Sequence, residues 1–490
     1  MNKKPNIIYF VGDQMRCDSL HHMGCEASIT PNLDAILEEG ISFENAYCQN
    51  PVCVPSRCSF LTGLYPHTTG HRTMHYLQDE NEPNFLCTMK NNGYEVIWVG
   101  RNDVIPGNRS KAEYCDVYFD GKTYTNSNDV KSKGIHFKPG NKENIDVSKA
   151  GYYSHYIGKI SEEQAHITGF MNDWMCVESA LRYLEERKSE KPFFLYLTIS
   201  YPHPPYACED PWYSSIDRSK IEPKRPSALE LDKPAMLKGI AKNQNLEEWL
   251  KDNYTEMKAT YLAMVSRFDY QYGLLKNKLQ ELDLYDNSSI FVFADHGDYT
   301  GDYSIAEKVQ NCFEDPISNI PLLIKPAKQF ACKPRQTKAL AELVDLCETV
   351  CDMSGIKTEY TQFGKSLLPV IAGEEEHKDA VICEGGRIHG ETQAMERGHD
   401  KESTYWPRLH EQEKEGPQHT KAIMLREKRY KYIYRLYEKD ELYDLEKDPK
   451  EISNLIDNCE YVELISQLKN RLLDFMVSTG DFVPNRKDPR

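Results

Sequence analysis

Cys53-Val54-Pro55-Ser56-Arg57, followed by Leu61-Thr62-Gly63, puts a thiol and a guanidinium four residues apart at what reads as a strand-to-helix turn. Pro55 presets its own φ and needs no N–H, so the spacing predicts a helix from about Pro55, with Cys53 just before it and Arg57 one turn on. Free N–H groups at such a terminus, the helix dipole and the guanidinium together make an anion site, and they predict a lowered pKa and a reactive thiol at Cys53. Other chemically able residues follow short apolar runs. Asp13-Gln14 follows Asn6 to Val11, Arg101-Asn102-Asp103 follows Gly93 to Gly100, His203 stands among prolines after Pro192 to Ser200, and Asp295-His296 follows Ser289 to Ala294. Each run reads as a buried strand of a parallel sheet. Open α/β sheets hold ligands just past the carboxyl ends of their strands. Asp13, Gln14, Asp295 and His296, with position 53, therefore form a mostly oxygen-donor metal set suited to Ca²⁺, Mg²⁺ or Mn²⁺.

The elements that would position these groups can be read in order. Thr30-Pro31 to Gly40 predicts a capped helix and Ile41 to Tyr47 a strand leading into the cysteine motif. A helix is expected near Leu86 to Asn91, a polar excursion or lid from Gly107 to Ile160, and helical spacing from Glu162 to Glu186. Asp210 to Leu250 reads as a long proline-punctuated loop, and Tyr254 to Leu282 as an amphipathic helix. Asn319 to Lys325 is a further strand and Lys338 to Ser354 a helix. Past Glu374 the pattern changes to short alternating strands, at Ala380, Ala422 and Tyr430, with a closing helix from Cys459 to Val477. Gly386 to His419, rich in His, Arg, Glu and Trp, is expected to reach over the active site.

Bulk properties narrow the partners. The 490 residues suggest one large domain, 1–374, and a smaller one, 375–490. A net charge of −16 argues against nucleic acid or an anionic membrane. The N-terminal apolar run is too short for a signal segment, and no run approaches membrane-spanning length, which points to a cytoplasmic protein. Fifteen cysteines without Cys-x-x-Cys pairs suggest reduced thiols, and the five-residue spacing of Cys48, Cys53 and Cys58 is not that of a zinc knuckle.

The cysteine motif, the Thr30-Pro31-Asn32-Leu33-Asp34 block, Pro66-His67, Asp295-His296 and Glu441 to Asn454 together resemble the formylglycine-dependent (type I) sulfatases over nearly the whole chain. The resemblance implies an α/β fold, an alkaline-phosphatase-like sandwich whose central, mostly parallel sheet is flanked by helices, plus a small C-terminal α+β subdomain with an antiparallel sheet. It implies a sulfuric ester hydrolase in which Cys53 is oxidised to formylglycine, so a maturation enzyme is an implied partner. It implies metal ligands at Asp13, Gln14, position 53, Asp295 and His296, usually for Ca²⁺, with Mn²⁺ the alternative. Arg57, Arg101, His203 and Lys308 would hold the sulfate, and His203 with Lys308 would protonate the leaving alcohol. Many sulfatases carry histidine where this chain has Asp103, which makes Asp103 the candidate second base. The expected substrate is a small sulfated sugar. The alternative is a phosphonate monoester or phosphodiester hydrolase on the same scaffold, to which His296 and Arg101-Asn102-Asp103 point.

Overall fold

The computed structural model describes residues 4–119, 147–167 and 173–483. The strands of the large region, most of them rich in β-branched and aromatic residues, are β1 (Asn6–Gly12), β2 (Ile41–Tyr47), β3 (Glu95–Gly100), β4 (Val117–Phe119), β5 (Tyr156–Lys159), β6 (Phe193–Thr198), β7 (Tyr206–Cys208), β8 (Ser288–Ala294), β9 (Leu322–Lys325) and β10 (Arg335–Glu342). Eight of them make one sheet in the order β10-β2-β9-β8-β1-β6-β3-β4, while β5 and β7 pair separately. The sheet is parallel except at β9, which runs against both β8 and β2. Every residue of β1, β6 and β8 is buried, as expected for central strands covered by helices on both faces.

Register brings the reactive ends together. Gly12 lies opposite Ala294, and Gly100 opposite Thr198, so Asp13, Asp295, Arg101 and the loop after β6 leave the same edge. Gly100 is needed for this: its φ is +99°, and a Cβ there would sit 1.9 Å from the Thr198 carbonyl oxygen. In the C-terminal region β11 (Val381–Gly385), β12 (Ala422–Arg426), β13 (Tyr430–Arg435) and β14 (Glu441–Asp444) form an antiparallel meander, closed by a helix at Val462–Thr479.

Three expectations are corrected. Lys338 to Glu342 lies in β10, paired with β2, and the helix is only Asp345–Ser354; strand pairing overrides the helical propensity of Lys-Ala-Leu-Ala-Glu. The expected loop from Asp210 to Leu250 contains a helix, Ala235–Gln244, which buries Met236, Leu237, Ile240 and Ala241 at helical spacing, and the long helix already starts within it, running Glu247–Glu281. The helix after Thr30 is a single α turn, Pro31–Asp34, followed by a 3₁₀ turn, and the Thr30 hydroxyl bonds Asp34 and the His21 N–H instead of capping. The helical spacing from Glu162 to Glu186 holds over Glu162–Ile167 and Asp173–Glu186, and 168–172 lie outside the described residues. The excursion from Gly107 to Ile160 includes the edge strand β4, and 120–146 lie outside the described residues.

One buried charge cluster holds the loop after β6. Arg267 of the long helix is fully buried, pairs with Asp173 and Glu209 at 3.2 Å each, and stacks 3.6 Å from the Tyr201 ring centroid. Asp173 in turn accepts the Ser200 and Tyr201 N–H groups, two residues before His203. Arg267→Ala leaves two carboxylates buried and uncompensated, and is expected to cost about 3–5 kcal/mol in urea unfolding. An unchanged unfolding midpoint would contradict that account.

Candidate active site

The helix that carries the cysteine motif spans Cys53–Phe60 and is buried throughout. It starts two residues before the position predicted from Pro55. Val52 is its extended N-cap, and Pro55 takes the third helical position, where a missing N–H is still harmless. The Val52 N–H bonds the Asn50 side chain, and the Ser56 hydroxyl donates to the Asp295 carbonyl at 2.6 Å, fixing the helix against β8.

Arg57 stands at the centre. Its Nη2 donates to Asp13 Oδ2 and its Nε to Asp295 Oδ2, both at 2.9 Å, and all three side chains are fully buried. The outer carboxylate oxygens are thereby occupied, and the inner ones turn toward Cys53 and His296. Cys53 Sγ lies 3.6 Å from Asp13 Oδ1 and 3.2 Å from His296 Nε2. His296 Nε2 lies 3.8 Å from Asp13 Oδ1 and 3.7 Å from Asp295 Oδ1.

This donor set fits a divalent cation. Asp13, Cys53, Asp295 and His296 each offer one atom, all within 4.8 Å of one another. His296 Nδ1 sits 2.9 Å from the Gly297 carbonyl, which assigns the ring proton to Nδ1 and aims the Nε2 lone pair at two carboxylate oxygens. The Cys53 thiol, 3.2 Å from Nε2, is the nearest group to that lone pair, and a cation among these atoms would satisfy the ring and both carboxylate oxygens together. Burial, with Lys308 adding to it, lowers the His296 pKa and keeps the ring neutral. Burial opposes ionisation of Asp13, but Arg101, His203, Arg57 and Lys308 outweigh it and hold the carboxyl well below its usual range.

Cys53 departs from the sequence expectation. Burial, then the Asp13 carboxylate, push its thiol well above the ordinary value, so the unmodified side chain is not the activated thiolate that a helix N-terminus suggested. The helix dipole and the cations are outweighed by desolvation and by two carboxylates.

The remaining predicted residues also gather here. Gln14, at φ +69°, donates its backbone N–H to Asp295 Oδ1, its Nε2 to Asp298, and accepts from Lys308 on Oε1 at 2.8 Å. A metal-ligand role for that oxygen would be shared with Lys308. Lys308 Nζ also lies 2.9 Å from His203 Nε2, and His203 Nδ1 lies 2.5 Å from the Pro204 carbonyl. Arg101 donates to Asp13 Oδ2 at 2.7 Å and pairs with Asp103 at 2.6 Å; Asp103 is also 3.9 Å from Arg57.

Three contributors were not predicted. Asp298 accepts from Gln14, Tyr206 and Thr300 and so fixes the Gln14 amide; its position three residues after Asp295 was the available signal. Glu307, at φ +77°, pairs with Lys308 at 3.1 Å. Arg408, on a helix at Trp406–Gln412, lies 3.5 Å from Glu307, so the segment from Gly386 to His419 does reach the site. Nothing local in sequence marks Arg408.

Comparison with known proteins accords with this geometry. Residues 5–356 match the sulfatase family model, and residues 388–478 match a model described as N-sulphoglucosamine sulphohydrolase, C-terminal. The chain belongs to the sulfatase family and is a sulfuric ester hydrolase. It is 27% identical to an arylsulfatase of Clostridium perfringens over 502 residues, covering 96% of this chain and 94% of that one. The phosphonate monoester hydrolase of Agrobacterium radiobacter superposes with a TM-score of 0.73 at 20% identity, over 97% of this chain and 96% of that one. A protein solved with its substrate D-glucosamine-2-N,6-O-disulfate gives 0.70 at 20% identity, over 97% and 98%. These two structures share the alkaline-phosphatase-like fold. No helix among the described residues is long and apolar enough to cross a membrane.

The cluster generates a direct expectation. Asp295→Ala should abolish both divalent-metal content, read by elemental mass spectrometry, and sulfatase activity, since removal of a metal-held charge forfeits several kcal/mol of transition-state stabilisation. Full activity with metal retained would refute the assignment.

Proposed function

We propose that this enzyme hydrolyses the sulfate monoester of a small sulfated sugar at a formylglycine formed from Cys53. In this reading Asp13, Gln14, Asp295, His296 and residue 53 hold a divalent cation, Ca²⁺ or alternatively Mn²⁺. The observation that carries it is the convergence of Arg57 and Arg101 on Asp13 and of Lys308 on Gln14, beside Cys53, in a chain of net charge −16. A sulfate monoester is an anion attacked by an oxyanion, so positive charge must be gathered locally. The hydrated aldehyde would supply a nucleophilic hydroxyl and a second one to expel sulfate, and the cation would supply Lewis acidity beside them.

The chain's own residues set the rest. Arg101 and Lys308 flank the sulfuryl oxygens, and Arg57 keeps Asp13 and Asp295 oriented. Both Asp295 oxygens are engaged, Oδ2 by Arg57 and Oδ1 by the Gln14 and His296 N–H groups, which suits a metal donor better than a general base. Lys308 donates to His203 Nε2, so the proton available to the leaving alcohol resides on Lys308, and His203 positions it. Asp103, paired with Arg101 beside this group, is the base assigned to breakdown of the sulfated intermediate. Residues 1–374 carry this chemistry, and 375–490 contribute Arg408 to its wall. The match of residues 388–478 to the N-sulphoglucosamine sulphohydrolase model supports a sugar as substrate. A formylglycine-generating maturation enzyme is then a required partner.

His296 in the donor set favours one second reading, a phosphonate monoester or phosphodiester hydrolase. Paired aryl substrates separate the two: faster release of sulfate than of phosphonate from matured enzyme supports the proposal, and the reverse ratio supports the alternative. The peptide spanning residue 53 should be lighter than its cysteine form by about 18 mass units. Asp103→Asn should preserve an initial burst of aryl alcohol and slow the following steady state by about a hundredfold to ten-thousandfold. Steady turnover equal to wild type would remove Asp103 from the mechanism.

A further inference from the structure

A second cavity, of about 450 Å³, opens between residues 16–27, residues 219–225 and one face of the long helix, and no residue of the catalytic group lines it. Its floor is a built ion-pair lattice. Arg16, 3% exposed, gives Nε and Nη2 to Asp18 at 2.7 and 2.6 Å and Nη1 to the Tyr299 carbonyl, and it pairs with Asp302 at 2.9 Å. Arg225 donates to the same Asp302 at 2.6 Å. These contacts satisfy Arg16 and share Oδ2 of Asp302 between the two guanidiniums, while the Arg225 N–H donates to its Oδ1.

What remains facing the space is a set of donors. Arg225 lines the wall with its Nη1 held by Asp302, which turns the guanidinium edge toward the cavity. Lys258 Nζ has no hydrogen bond among the described residues, only the Tyr261 ring with its centroid 5.7 Å away. The Tyr254 hydroxyl, one turn earlier on the same helix face, is likewise without a hydrogen bond there, and Leu262, one turn later, adds an apolar wall. Around the floor, the cations Arg16, Arg225 and Lys258 face two carboxylates, Asp18 and Asp302, leaving one positive charge in excess. At the mouth, Lys220 and Lys450 are offset by Glu26 and Glu222. Burial, then the charge of Arg16, lower the Lys258 pKa, a penalty that a bound anion would relieve.

We propose that this cavity is a second ligand site, which takes a sugar-sized monoanion bearing a carboxylate or a sulfate ester, gripped by Lys258, Arg225 and Tyr254. The volume lies within the range of small-molecule sites, and the unpaired donors with one surplus charge match a single oxyanion.

Calorimetric titration of the full chain with D-glucuronate, with D-glucose as neutral control, tests it. One-to-one binding of glucuronate but not glucose is expected in wild type and in Lys308→Ala, which disables the catalytic anion site. Lys258→Met and Arg225→Gln should each weaken it by about tenfold or more. Lys258→Met should keep wild-type turnover of an aryl sulfate, which establishes that it folds. Titrating D-glucose 6-sulfate into Lys308→Ala distinguishes a sulfate ester from a carboxylate as the preferred group. Failure of both anions to bind Lys308→Ala, or binding untouched by Lys258→Met and Arg225→Gln, would overturn the proposal.

Discussion

The bridge from Arg57 to Asp13 and Asp295 is the interaction on which the catalytic group depends. Two carboxylates at the ends of adjacent buried strands repel each other and lose their hydration, a penalty of several kcal/mol for each charge. One guanidinium on the motif helix meets both, on their outer oxygens. That single side chain joins β1, β8 and the helix, orients the inner oxygens toward Cys53 and His296, and makes the helix's placement inseparable from the chemistry. Removing it would leave Asp295 without its guanidinium partner and Asp13 held by Arg101 alone.

One guanidinium does not balance two carboxylates, and the rest of the site can be understood as the remainder of that balance. Arg101 adds a second cation to Asp13 but brings Asp103 with it. Lys308 adds a third, partly offset by Glu307, which Arg408 approaches in turn. Each positive group near Cys53 is thus accompanied by a carboxylate, so the arginines and lysine arrive oriented, with the cluster close to neutral before an anion enters. A divalent cation among Asp13, Asp295 and His296 would tip this balance toward binding a sulfate ester in an otherwise acidic protein.

The positions of Asp13, Arg101, Asp295 and His296 were legible in the sequence because each follows an apolar strand, and parallel strands in register put their ends at one edge. Cys53 and Arg57 were legible from their spacing, but the thiol's electrostatics were not. The local pattern suggests a helix terminus that acidifies a cysteine, whereas Asp13 and Asp295 come from positions 40 residues before and 242 after it. Glu307 and Arg408 were hidden for a related reason: their roles arise from a left-handed backbone turn and from a distant helix. The part of β10 from Lys338 to Glu342 reads as helix because Lys-Ala-Leu-Ala-Glu favours one, and only pairing with β2 decides otherwise.

The most direct test of this account is the anomalous difference map from a crystal of the protein grown with Mn²⁺. The account predicts one peak per chain in the buried group, within coordination distance of Asp13, Asp295, His296 and residue 53. A map with no peak there, or with manganese bound only elsewhere, would contradict it.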